Sequence, residues 1–214
     1  MARFTNLPYL DLNNMNNGSM MSLENDIFHK VVNLKELYLK YNRINFIRDT
    51  VFHSLKSLQI LDLSFNELLE LSSETFKYLD NLKSLFITNN KLKSLKRGMF
   101  EKNVNLEFLF LSRNFLQDIH SDQFTGLNNL LQLDLSGNNI KSIQRETFAN
   151  LRGLIKLDIS ANNALTSVSS EMFKDCKMFD ELTLDRSALN EVVTFGYGRS
   201  VNKINERSFF VFTN

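Results

Sequence analysis

The chain has a single cysteine, Cys176, in 214 residues, so no disulfide can form within it. In a chain complete at both ends, that would argue for a reducing compartment. Neither charge is in excess. A formal net charge of +1 speaks against a polyanion-seeking surface and against a solvating acidic tail. No stretch approaches the roughly 18 apolar residues that a bilayer span needs. The opening MARFTNLPYL lacks the apolar core of a secretory signal. Histidine occurs three times, and no Gly-rich phosphate loop, H-E-x-x-H or G-x-S-x-G is present. The inventory therefore assembles no nucleophile, base and metal set, and an enzyme is not expected. Tryptophan is absent and proline occurs once, at Pro8, whereas phenylalanine occurs nineteen times.

Leucine and asparagine are abundant along the whole chain, and their spacing is regular. Leu34, Leu58, Leu82, Leu106, Leu130 and Leu154 follow one another at 24-residue intervals. Each opens an L-x-x-L-x-L/I-x-x-N-x-L/I-x-x-L/I segment, as Leu58 does with Leu61, Leu63, Asn66, Leu68 and Leu71. Five residues further on comes a phenylalanine, giving the series Phe28, Phe52, Phe76, Phe100, Phe124, Phe148 and Phe173. Such self-similarity is the signature of a solenoid. The L-x-L core alternates as a half-buried strand does. A fixed period returns the chain to the same place, so each strand is expected parallel to its predecessor. Eight strands at about 4.8 Å spacing give a sheet roughly 35 Å long. The inward Leu and Ile stack in one column that no repeat can bury alone, and the phenylalanines form a second column behind it. No helix-length periodic run occupies the convex side, where short turns or 3-10 segments are expected.

The asparagines Asn42, Asn66, Asn90, Asn114, Asn138 and Asn162 fall where each strand bends. A buried carboxamide can satisfy backbone groups that the turn leaves unpaired. They are read as structural and not as a site.

This pattern resembles the 24-residue leucine-rich repeat of Toll-like receptors, chaoptin-like adhesion proteins and insect immune proteins, over about residues 4–192. The resemblance implies an α/β solenoid, or horseshoe, with a parallel concave sheet and a mostly coil or 3-10 convex side. It further implies a non-enzymatic protein-binding module of a cell-surface or secreted protein, in innate immunity or adhesion. The alternative is an intracellular scaffold or enzyme-inhibitor protein. The Cys-rich caps common in such ectodomains are missing. Residues 1–214 are read as one domain of about eight repeats, regular over 34–178 and degenerate over 179–214. Phe4, Leu7, Leu10 and Leu12 match the end of one repeat and the strand of the next. Ile204-Asn-Glu-Arg-Ser-Phe209 matches Ile143-Gln-Arg-Glu-Thr-Phe148. A fragment of a longer array is therefore expected, reaching a membrane only through segments outside this chain.

Two irregularities interrupt the array. The repeat from Leu7 to Leu34 is longer, with a polar insertion around 13–18, and it contains the sequon Asn17-Gly18-Ser19. Asn17 is thus a candidate glycosylation site in an extracellular glycoprotein. After Phe179, Ser187 stands where the series calls for asparagine, and 193–203 holds no clean repeat.

Individual side chains with chemical potential are few. His29 and His53 each follow a column phenylalanine, His120 lies elsewhere, and no carboxylate or cysteine completes a metal shell. No metal and no cofactor are expected. Cys176 takes the apolar slot of Leu79, Leu127 and Leu151, as a buried thiol would. The cluster Lys91, Lys93, Lys96, Arg97 and Lys102 reads as a solvated flank, and no nucleic acid is expected as a partner.

The solvent face of the sheet is more informative. Its middle row reads Asp11, Tyr38, Asp62, Phe86, Phe110, Asp134, Asp158 and Thr183. The row before adds Ile60 and Phe108, and the rows after add Tyr41, Phe65 and Phe115. These eight apolar side chains are expected to form one patch for another protein or a second copy of the chain. Such an area exceeds what a monomer usually leaves exposed, and aromatics often anchor interfaces. Asp134, Asp158 and Glu181 are a candidate polar rim.

Overall fold

In each repeat the L-x-L/I core gives a three-residue strand that begins one residue before the first leucine, and the apolar residues on either side of the outward one turn to the core. The computed structural model describes residues 6–15, 22–24, 27–168, 170–173, 175–176 and 178–185, and the backbone of 194–195, 199–201 and 209–213. Asn17, Ser187 and most of 193–203 lie outside the described residues. The first strands are β1 (Tyr9–Asp11), β2 (Ser22–Leu23), β3 (Glu36–Tyr38), β4 (Phe46–Ile47) and β5 (Ile60–Asp62). Then come β6 (Ser84–Phe86), β7 (Phe108–Phe110), β8 (Asp118–Ile119), β9 (Gln132–Asp134) and β10 (Ser142–Ile143). The last are β11 (Lys156–Asp158), β12 (Glu181–Thr183), β13 (Thr194–Phe195), β14 (Arg199–Val201) and β15 (Phe209–Thr213).

One sheet of eleven strands has the order β1-β3-β5-β6-β7-β9-β11-β12-β15-β14-β13. The first eight are parallel and in register, so Leu10, Leu37, Leu61, Leu85, Leu109, Leu133, Leu157 and Leu182 lie side by side. Parallel neighbours require a long crossover, and the rest of each repeat supplies it. On the far flank, β2 pairs with β4 and β8 with β10, two short parallel ladders that the sequence reading does not anticipate. Among the described residues the convex side carries turns and short 3-10 segments such as Ser121–Phe124 and Ser170–Phe173.

Phe209 departs from expectation. It does not continue the phenylalanine column as a counterpart of Phe148, because its backbone opens β15, antiparallel to β12. After β12 no new L-x-L triplet follows in step. The extended, aromatic-rich run Phe209–Thr213 pairs instead with the exposed edge of β12, as strand-prone residues do.

The core is continuous. Leu, Ile and Phe from every repeat join one buried cluster from Leu23 to Leu184. Phe76 and Phe100 are fully buried and stack at 5.9 Å, and Phe148 and Phe173 at 5.7 Å. Each buried ring contributes about 1.5–3 kcal/mol relative to an exposed one. Phe179, which takes the place of a leucine, stacks on Phe173 at 4.5 Å and extends the column.

The asparagine series behaves as a ladder of backbone clamps. Asn90 donates from Nδ2 to Leu63 O at 3.0 Å and to Ile87 O at 3.2 Å, while its Oδ1 accepts from Leu68 N. Asn66, Asn114, Asn138 and Asn162 repeat this between adjacent turns. The residue before each asparagine turns the chain with a left-handed φ: 56° at Tyr41 and Phe65, 54° at Asn89, Arg113 and Ala161, and 64° at Gly137. A side chain there costs roughly 1–2 kcal/mol, which the carboxamide bonds offset.

Candidate interaction surface

The register places the rows of the open face as the sequence arranges them. Tyr38, Asp62, Phe86, Phe110, Asp134 and Asp158 face one another directly across β3, β5, β6, β7, β9 and β11. One residue before, Glu36, Ile60, Ser84, Phe108, Gln132 and Lys156 form the parallel row.

The eight candidate residues are not one uniform patch but packed units. Phe86 and Phe110 stack at 4.9 Å with their planes 1° apart. They are half-buried, as are Ile60 and Phe108 beside them. Tyr41 and Phe65 stack at 4.5 Å on the bend and remain 52% and 38% exposed. Tyr38 turns away from this group and packs against Tyr9 at 5.3 Å. Between Tyr38 and Phe86 lies Asp62, buried and paired with Lys40 at 3.3 Å. Phe115 is exposed but lies past the bend. Its N–H bonds Leu92 O as the N–H of Lys91 bonds Leu68 O, so it shares the row of Glu67 and Lys91.

Electrostatics divide the face. The Tyr38 hydroxyl donates to Glu36 at 3.0 Å, and burial, this bond and the nearby carboxylates push its pKa up to about 12. Toward β11 the row becomes acidic. Asp134 Oδ1 accepts from the Ser136 N–H and hydroxyl at 2.9 and 2.6 Å, and Asp158 Oδ1 binds Ser160 in the same way. Burial raises the Asp158 pKa, and the charges of Asp134 and Asp185 raise it further, against the lowering effect of the Ser160 bonds. Glu181 is held by Lys156 at 2.7 Å.

Other candidate chemistry is absorbed by structure. Lys91, Lys96 and Arg97 meet Glu67, Glu70 and Asp122, which neutralises much of the basic cluster. Both ring nitrogens of His53 are engaged, by Thr50 O and the Ser54 hydroxyl. Cys176 is buried, its Sγ donates to Phe148 O, and burial pushes its pKa up to about 12. Among the described residues no cluster of three metal-ligating side chains exists, and no helix is long and apolar enough to cross a membrane.

The family model described as the leucine rich repeat matches residues 5–68, 58–115 and 104–163. The chain belongs to the leucine-rich repeat family. No curated protein is similar enough in sequence to count as a relative. A chain of the Toll–Spatzle complex, titled a molecular hub in Drosophila development and innate immunity, superposes with a TM-score of 0.66 at 26% identity. That match covers 76% of this chain and 21% of the other. The APL1 leucine-rich repeat domain superposes with a TM-score of 0.68 at 23% identity, over 81% of this chain and 44% of that one. The present leucine-rich repeats thus span about a fifth of the first neighbour and under half of the second, and the APL1 likeness shows the fold alone. With the Toll likeness, the repeats resemble the extracellular type, a fold that typically serves as a protein-interaction scaffold.

Two features escape the sequence reading of this leucine-rich repeat chain. Tyr9 is 48% exposed and packs tilted against Tyr38, so it belongs with the candidate aromatics. Its place in the row of Ile60 and Phe108 is the signal that identifies it. A second, exposed asparagine series, Asn81, Asn105 and Asn129, donates to Lys56 O, Asp80 O and Val104 O. The same 24-residue period reveals it.

Proposed function

We propose that this chain is the non-enzymatic, protein-binding portion of a cell-surface or secreted recognition protein, with the open face of its sheet as the contact surface. The observation that carries this reading is the Phe86–Phe110 stack. It occupies a row whose other members are mostly aspartates, on the side of the sheet away from the core. Aromatic side chains left half-exposed gain by burial against a partner, and they are the commonest interface anchors. The likeness to a chain of the Toll–Spatzle complex supports a protein ligand and an extracellular setting.

Site-specific photo-crosslinking tests the reading. A photoreactive phenylalanine analogue is placed at Phe110, or at Tyr78 on the other side as a control, in the full chain displayed on cells. Protein adducts from position 110 and none from position 78 are expected. Adducts confined to position 78, or none at either, contradict the proposal.

A further inference from the structure

The open face changes character between two neighbouring strands. In register, Phe86 and Phe110 are followed at once by Asp134 and Asp158. The two pairs are centred about 10 Å apart, two strand spacings. The carboxylates differ from the one on the other side of the aromatics. Asp62 has Lys40, whereas the corresponding places before Asp134 and Asp158 hold Ser112 and Ser136. Among the described residues, no lysine or arginine pairs with either aspartate. Their Oδ1 atoms serve the serines that follow, and Oδ2 is outside those bonds. Asp185, close enough to raise the Asp158 pKa, adds to the negative potential. Nearby cations do not cancel it. Lys156 is taken by Glu181, and Arg113 packs its side chain beside Gly137 at the bend.

We infer that the partner's contact surface is basic and amphipathic: an apolar or aromatic side chain seats against Phe86 and Phe110, and a lysine or arginine about 10 Å away meets Asp134 and Asp158. The inference rests on the proposed use of this face and adds the partner's chemistry. Half-buried carboxylates without a cation favour an incoming guanidinium or ammonium, and the adjoining rings attract the same charge through their faces.

The test uses a random peptide library displayed on phage, selected on the full chain, with binders measured as synthetic peptides by fluorescence polarisation. Three variants are compared: the parent, Asp134→Asn with Asp158→Asn, and Phe86→Thr with Phe110→Thr. Asparagine keeps an oxygen for Ser136 and Ser160 and removes only the charge, so folding is preserved. Enriched peptides are expected to pair an apolar residue with Lys or Arg. They should weaken at least tenfold on the Asn variant and bind undetectably on the Thr variant. Parent affinity should also fall between 50 and 300 mM salt, a readout that needs no variant. Binders that lose affinity on the Thr variant but ignore both the Asn variant and salt overturn the cationic half and leave the aromatic surface standing. Binders indifferent to the Thr variant, or no binders at all, overturn both. Concentration-dependent self-association in sedimentation, abolished by the Thr pair, assigns the face to a second copy and also overturns the inference.

Discussion

Two phenylalanine stacks share the repeat that opens at Leu82 and do different work. Phe76 and Phe100 stack at 5.9 Å with planes 10° apart and are fully buried. Phe86 and Phe110 stack more closely, at 4.9 Å and 1°, yet stay half-buried on the open face. Residue type and period are identical, so neither determines the role. What decides is position relative to the leucines. Phe86 lies between Leu85 and Ile87, both buried, and strand alternation turns it the other way. Phe100 falls in a turn that leads back beneath the sheet.

The comparison predicts unequal costs of truncation. Phe100→Ala empties a closed site and should cost about 3–5 kcal/mol in urea unfolding. Asn90→Ala leaves the buried Leu68 N–H without its acceptor and should cost about 1–3 kcal/mol. Phe110→Ala loses mainly a ring pair, about 0.5–1.5 kcal/mol. Equal losses for Phe100→Ala and Phe110→Ala would erase the distinction between the faces. At the bend, Ala161→Gly should stabilise by up to about 1 kcal/mol, since its φ of 54° suits glycine, as Gly137 illustrates one repeat earlier. A destabilised Ala161→Gly protein would mean that the left-handed turn is not strained.

The Tyr9–Tyr38 pair adds a pH dependence. Tyr38 is held protonated in the folded state. Its stabilising contribution is therefore complete below the usual tyrosine value of 10.0 and is lost as pH rises through about 12. Ultraviolet titration should show a late phenolate step that disappears in Tyr38→Phe. A late step that persists in that variant would assign the shift elsewhere.

Much of the fold was legible because a repeat reports the same constraint many times. The inward leucines, the phenylalanine column and the asparagine clamps each recur with one period, and each sits where its chemistry requires. The strand register followed directly, and so did the middle row of the open face. Pairing on that face did not follow. Nothing in the spacing says that Tyr38 packs on Tyr9, which stands in the other row of the open face on the neighbouring strand. Phe115 joins the concave residues only by its nearness in sequence to β7, and one residue past the clamp is enough to carry it around the bend. The antiparallel β15 was not legible either. Its sequence imitates a repeat, while its pairing is set by the free edge of β12.

The fold does not require the open-face stack. Urea unfolding of Phe86→Thr with Phe110→Thr tests it most directly, because Thr183 already occupies this row. The predicted result is one cooperative transition, with a loss no larger than about 2 kcal/mol, the scale of one ring pair and two surface exchanges. Loss of the cooperative transition, or a penalty matching that of Phe100→Ala, would contradict it and return these rings to the core.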